Sequence, residues 1–307
     1  MSDGINRRDL LIKAAALGLS VAGIELLSNT DLLRMVETAE AAGKPVVAVA
    51  SKGSVTSMVV KVVDKLGGMS RFVKKGAKVV IKPNIGWARN PEQAANTNPQ
   101  VVETLISLCK KAGASSVSIY EFACDSSVMT FRDSGIGEVC TRTSVPLISA
   151  HESKYYTKYS VPRGKILKQV DAVKAIMEAD CFINVPVVKV HGGSGVSLAM
   201  KNHMGSILDR GEFHRKGLHQ CIADLATIMR PHLNVADASR VLLTHGPKGP
   251  GQVRKDNKIF ASTDIVAIDA CGAKLLGFEP MRVDHIRMAT EMGIGQGDLA
   301  KVSVIEV

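Results

Sequence analysis

The chain has 307 residues, of which 46% are hydrophobic and 22% charged, a balance that excludes an intrinsically disordered polymer and suits a folded globular protein. Its net charge is +10, and aromatic residues make up only 4%, so stacking platforms for single-stranded nucleic acid have little to be built from. The surplus positive charge attracts anions without saying which, and the dispersal of the basic residues along the chain argues against a nucleic-acid partner.

The N-terminus reads NRRDLLIKAAALGLSVAGIELL, with Arg7 and Arg8 ahead of an apolar stretch from Ala14 to Ile24. That stretch is too short for a helix of roughly 20 residues to span a bilayer, and its layout is that of an export signal. The arginine pair followed by Asp9, Leu10, Leu11 and Lys13 resembles a twin-arginine signal, and Ala39-Glu40-Ala41 offers a small-x-small cleavage site. Residues 1–41 are therefore expected to engage the twin-arginine export machinery and place the protein in the periplasm or another extracytoplasmic space.

From Pro45 onward, apolar β-branched runs alternate with helical patterns. Strands are expected at 46–51, 77–84, 116–121 and 181–190, and helices at 54–68 and 99–113, the latter with Pro99 in its first turn and Gly113 at its stop. The segment 122–170 is less regular, rich in Ser, Thr and Tyr, and is expected to be a small β-rich insertion. The whole of 42–307 is read as one α/β domain, a mainly parallel sheet with helices on both faces. In such sheets ligands sit beyond the carboxyl ends of the strands, which directs attention to the loops after 82, 121 and 190.

Lys82-Pro83-Asn84 closes the second strand and opens a long loop that holds Trp87, the single tryptophan, and Arg89. Lys189 and His191 close a later strand, where Gly192, Gly193 and Gly195 permit a tight turn and the run from Val196 to about Leu208 has helical spacing. A helix start beside lysines would form an anion site. On that helix Lys201 shares a face with Ser194 and Ser197, and Asn202 adjoins it, while His203 falls on the apolar stripe and reads as a hydrogen-bonded core histidine. Further along, His219 flanks the buried stripe of a helix whose Asp224 lies too far round to pair with it, and Asp237 closes a short apolar run as an acid, base or ligand candidate. Asp264, after Ser262-Thr263, is expected to cap a helix or stand as an acid in its first turn.

His191, His214 and His219 together provide the residue type for a metal site, although no local H-x-x-x-H spacing supports one. Of the six cysteines, Cys109, Cys221 and Cys271 fall in apolar helical patterns as buried thiols. No C-x-x-C or ferredoxin-type run occurs, which argues against an iron–sulfur cluster.

Taken together, Lys82-Pro83-Asn84, Pro186 with Lys189 and His191, Lys201-Asn202 with Gly205, His219 and Asp224, Asp237, the Gly246-Pro247 turn, and Asp264 with Asp269 resemble the bacterial and archaeal family catalogued as domain of unknown function 362. The resemblance runs from about 45 to 276 and implies that the lysines, His191, Asn202 and His219 are shared site positions. Some relatives append a ferredoxin-like cysteine segment, which this sequence lacks.

The resulting expectation is an exported enzyme acting on a small carboxylate or phosphate. Lys82, Asn84, Gly192, Gly193, Gly195 and Asn202 would bind it, and Lys189, His191, Lys201, His219 and Asp237 would carry the acid–base chemistry, with one lysine driven toward neutrality by its cationic neighbours. Two alternatives are a non-catalytic anion- or cofactor-binding protein and a metal-dependent redox protein.

Overall fold

A computed structural model describes residues 43–307; the export signal expected over 1–41 lies outside the described residues. The strands in chain order are β1 (Val46–Ala50), β2 (Lys78–Pro83), β3 (Ser116–Glu121), β4 (Leu147–Ser149), β5 (Tyr156–Ser160), β6 (Gln169–Val173), β7 (Cys181–Val185), β8 (Val187–His191), β9 (Gly195–Ser197), β10 (Leu233–Leu242), β11 (Val253–Arg254), β12 (Lys258–Ser262) and β13 (Ser303–Glu306). The main sheet runs β13-β1-β12-β10-β7-β2-β3-β4, with β8 continuing alongside β10, and β5 pairs with β6 in a separate two-stranded sheet. Pairings from β10 through β7, β2 and β3 to β4 are parallel, whereas β12 is antiparallel to both β1 and β10. The architecture is thus the mainly parallel α/β sheet that the alternating strand and helix patterns predict.

Helices cover both faces of the sheet because the strands are apolar on both. In β2, Val79 and Ile81 join one core with the helices Val55–Lys65 and Pro99–Lys111, while Val80 joins the other with Leu218–Ala226 and Ile265–Leu275. Local chemistry sets the helix starts. Asn98 accepts the Gln100 N–H ahead of Pro99, and Asp264 accepts from both Val266 and Ala267, which is the cap expected of it.

Three expectations change. The apolar run 181–190 is two strands, β7 and β8, divided at Pro186. Segment 122–170 is only partly an insertion. Helices Ser127–Asp133 and Ile136–Arg142 lead into β4, which extends the main sheet, and only β5 of the separate two-stranded sheet falls within the segment.

The third change concerns the site. The glycines at 192, 193 and 195 do not start a helix: they close a hairpin in which β9 folds back antiparallel on β8, with His191 opposite Gly195. Gly195 takes φ +73°, a left-handed conformation costly for any residue with a Cβ. Only after β9 does a single helical turn, Ala199–Asn202, form, followed by a 3₁₀ turn at His203–Ser206. Helical spacing in 196–208 misleads because a short strand and two short turns happen to place Ser197 and Lys201 on one side. A carboxylate stabilises this short helix: Asp269, on the helix Ile265–Leu275, accepts from Ala199 N at 2.6 Å and Met200 N at 3.0 Å.

Candidate functional site

The strand ends of β2, β3 and β8 open into a cleft of about 340 Å³ lined by Lys82, Asn84, Glu121, Lys189, His191, Lys201, Asn202 and Arg210, with Trp87, Phe122, Cys124, Met204 and His214 among its other walls. Three lysines separated by up to 119 positions therefore face one space. Their environments differ, and so does what each can do.

Lys82 is fully buried and saturated. Its Nζ donates to Glu121 Oε2 at 2.8 Å, to the Pro83 carbonyl at 2.7 Å and to Asn202 Oδ1 at 3.4 Å. Burial lowers its pKa, and the Glu121 charge opposes that fall. Asn202 ties the floor together, donating to the Lys82 carbonyl and to Asn184 Oδ1 and accepting from Asn84 Nδ2 at 2.9 Å. Asn84 in turn accepts from Lys189 Nζ at 3.0 Å, and the same ammonium donates to the Ala95 carbonyl. Burial, more than repulsion from other cations, brings Lys189 down to about 7, close to half-charged at neutral pH.

Lys201 is the contrast. No hydrogen bond or ion pair joins its ammonium to any described residue, and burial lowers its pKa to about 8. Arg210 stands beside it, with its guanidinium 4.3 Å from the Phe122 ring centroid and held by the carbonyls of Phe122 and Ala123 and by Cys124 Sγ. Partnered cations thus form the floor and an unpartnered one faces the opening, an arrangement that favours an anion over water.

His191 is held at about 3 by burial and by Lys201 and Lys189, so it is neutral at physiological pH. Its Nδ1 accepts the Gly193 N–H at 3.0 Å, which leaves the ring proton on Nε2 and makes the imidazole a donor there. The glycine turn orients this histidine; Gly192, Gly193 and Gly195 do not themselves line the cleft.

Two expected acid–base residues stand elsewhere. Asp237 lies within β10 rather than at its end, and its buried carboxylate accepts from Asn98 N, Ser239 N and Ser239 Oγ. It fixes the loop that carries Ala95 and Thr97, whose hydroxyl accepts from Asn84 N, and acts on the cleft only through that loop. His219 does not line the cleft either; its Nδ1 lies 3.2 Å from Nδ1 of His285 and the rings stack. Asp224 accepts from Ile166 N, Leu167 N and Gln220, a structural clamp. His203 is buried as expected, but neither ring nitrogen has a hydrogen-bond partner; the ring packs against Phe182 instead.

Of the histidines considered as metal ligands, His191 and His214 line the cleft and His219 stands apart with His285, and among the described residues no three His, Cys, Asp or Glu side chains form a metal-binding group. All six cysteines are free thiols, five buried and Cys124 exposed.

Glu121, Cys124 and Arg210 are the cleft residues that motif reading misses. Glu121 has a signal, since it closes the strand SVSIYE at the edge where ligands gather; Arg210 has none, because it reaches the cleft across 88 residues to the Phe122 carbonyl.

A thylakoid-associated protein of Synechocystis sp. is 24% identical over 254 residues, 79% of this chain and 76% of that protein. A lactate racemase apoprotein from Thermoanaerobacterium thermosaccharolyticum superposes with a TM-score of 0.49 at 14% identity, covering 74% of this chain, which spans 56% of that structure's length. The family model for a domain of unknown function (DUF362) matches residues 79–274, a span that contains Lys82, Glu121, Lys189, Lys201 and Arg210, and the chain belongs to that family.

Proposed function

We propose that the chain is an enzyme that holds a small carboxylate or phosphate in the cleft and moves a proton on it, exported by way of its N-terminal segment. The observation that carries the reading is the Lys201 ammonium, unpartnered in a cleft that already contains Lys189 and Arg210. In this reading Lys201 and Arg210 take the anion and neutral His191 donates from Nε2. Lys189, held near 7, is poised to give or take a proton at neutral pH, the condition for efficient general acid–base work. His219 and Asp237 have supporting roles. Export rests on Arg7-Arg8 and the apolar stretch behind them.

Exchange at carbon can be followed on any bound anion that carries a C–H bond, whatever its onward chemistry. Small carboxylates and phosphates are screened for thermal stabilisation, and those that bind are incubated with the protein in deuterated buffer while their C–H signals are followed by NMR. Wild type is expected to exchange protons on at least one bound anion, Lys189→Met to bind it without exchange, and Lys201→Met to lose affinity. Binding with no exchange by wild type would favour the carrier alternative, and anion binding unchanged in Lys201→Met would end the reading.

A further inference from the structure

The cleft holds one carboxylate among its cations, and the arrangement of that carboxylate exceeds what charge balance needs. Glu121 is 2% exposed and uses only one oxygen within the protein: Oε2 accepts from Lys82 Nζ at 2.8 Å and from Ile85 N at 2.9 Å. Oε1 accepts no hydrogen bond from any described residue, yet it is not one of the buried polar atoms sealed without a partner, and Glu121 lines the cleft. It is therefore open to whatever occupies that space. Gly205 keeps it so, because a Cβ there would lie 1.9 Å from Oε1.

A buried counter-ion for Lys82 requires Oε2 alone. A bare acceptor facing the space where Lys201 and Arg210 hold an anion repels a second oxyanion and attracts a hydrogen-bond donor. A hydroxyl supplies that donor without adding charge, and a hydrogen bond to an ionised acceptor is among the strong ones. We propose that Glu121 Oε1 reads a hydroxyl on the bound anion, so that the substrate class is a hydroxycarboxylate or a hydroxyalkyl phosphate. This rests on the anion reading of the cleft and deepens it. Glu121 is the specificity-determining residue, Lys201 and Arg210 hold the charged end, and Gly205 preserves the gap between them.

The test uses matched pairs that differ by one hydroxyl: malate against succinate, glycolate against acetate, and 2-hydroxypropyl phosphate against propyl phosphate. Dissociation constants are measured by calorimetry on the full chain for wild type, Glu121→Gln and Lys201→Met. Wild type is expected to prefer the hydroxylated member of at least one pair by about tenfold or more. Glu121→Gln is expected to bring the ratio of the two affinities within a pair to within about threefold, whatever the lost charge does to both members together, and Lys201→Met to weaken both members. The carboxylate and phosphate pairs show which charged end the cleft takes. Equal wild-type affinity within every pair, or a wild-type preference that Glu121→Gln leaves unchanged, overturns the inference while leaving the anion reading intact. If no member of any pair binds, both fall. Should Glu121→Gln fail to fold, Glu121→Asp, which keeps the charge but draws the carboxylate back from the cleft, takes its place and is expected to lose the same preference.

Discussion

Replacing Gly205 with alanine tests whether the close packing at the floor of the cleft is as tight as the geometry states. The new Cβ would lie 1.9 Å from Glu121 Oε1, 2.8 Å from Lys82 Nζ and 3.0 Å from Glu121 Cδ. The backbone cannot simply retreat, because the Gly205 carbonyl accepts from Phe122 N at 3.0 Å. Atoms do not approach a Cβ closer than about 3.0 Å, so Glu121 Oε1 must shift by about 1 Å, which disturbs the carboxylate whose other oxygen holds a 2.8 Å bond to a fully buried ammonium. Breaking a buried ion pair by removing one partner costs about 3–5 kcal/mol; displacing it without removal should cost about 3 kcal/mol. The assay is urea unfolding followed by the fluorescence of Trp87, with the shift in midpoint converted through an unchanged slope. Gly277→Ala is the control for backbone strain alone: Gly277 has φ +85° and open space around it, and alanine there should cost about 1 kcal/mol. A loss below about 1 kcal/mol for Gly205→Ala would refute the packing argument.

Three further outcomes rest on the same geometry. His203 is fully buried with its pKa lowered from 6.5 to about 3, so the unfolded chain binds the extra proton first and stability falls as pH drops below 6.5; between pH 7 and 5 this residue should account for about 2 kcal/mol, and His203→Met should remove that part of the pH dependence in unfolding titrations. Asp237→Ala should cost about 3 kcal/mol in urea unfolding by leaving Asn98 N and Ser239 unpartnered in the interior, and should change anion affinity far less than Lys201→Met does. Because Lys201 loses its proton near 8, affinity for inorganic phosphate should weaken as pH rises from 7 to 9 beyond what phosphate's own ionisation explains; Lys201→Met should lack that component, as calorimetry at each pH would show.

The three lysines divide their work through their surroundings. Clustered cations are expected from the sequence to depress one another, but in the structure desolvation is the larger cause for each. The protein compensates by giving Lys82 and Lys189 several acceptors and Lys201 none. A ligand anion would complete the set at the one of these three lysines that has no acceptor among the described residues, which is why Lys201 and not its neighbours carries the proposal.

What the chain determines locally is read from particular residues. The runs at 46–51, 77–84 and 116–121 form β1, β2 and β3 because β-branched residues bounded by Gly, Pro and Asn leave little choice, and the caps at Asn98 and Asp264 act over two or three residues. The placing of Lys82, Lys189 and His191 at strand ends is likewise periodicity within single segments, and the family resemblance draws on the order of those same segments. Four matters need the tertiary structure. The 192–195 glycines turn into a hairpin because β8 offers β9 a free edge, a pairing that helical spacing cannot reveal. Asp237 becomes a loop anchor because Asn98 approaches it from 139 residues away. His219 turns toward His285, and Glu121 joins Lys82, through contacts across 66 and 39 positions. Local pattern fixes which backbone state a segment prefers. Which polar group meets which inside the protein depends on how the sheet and its helices close, and there the cost of burying an unpaired charge selects the partners.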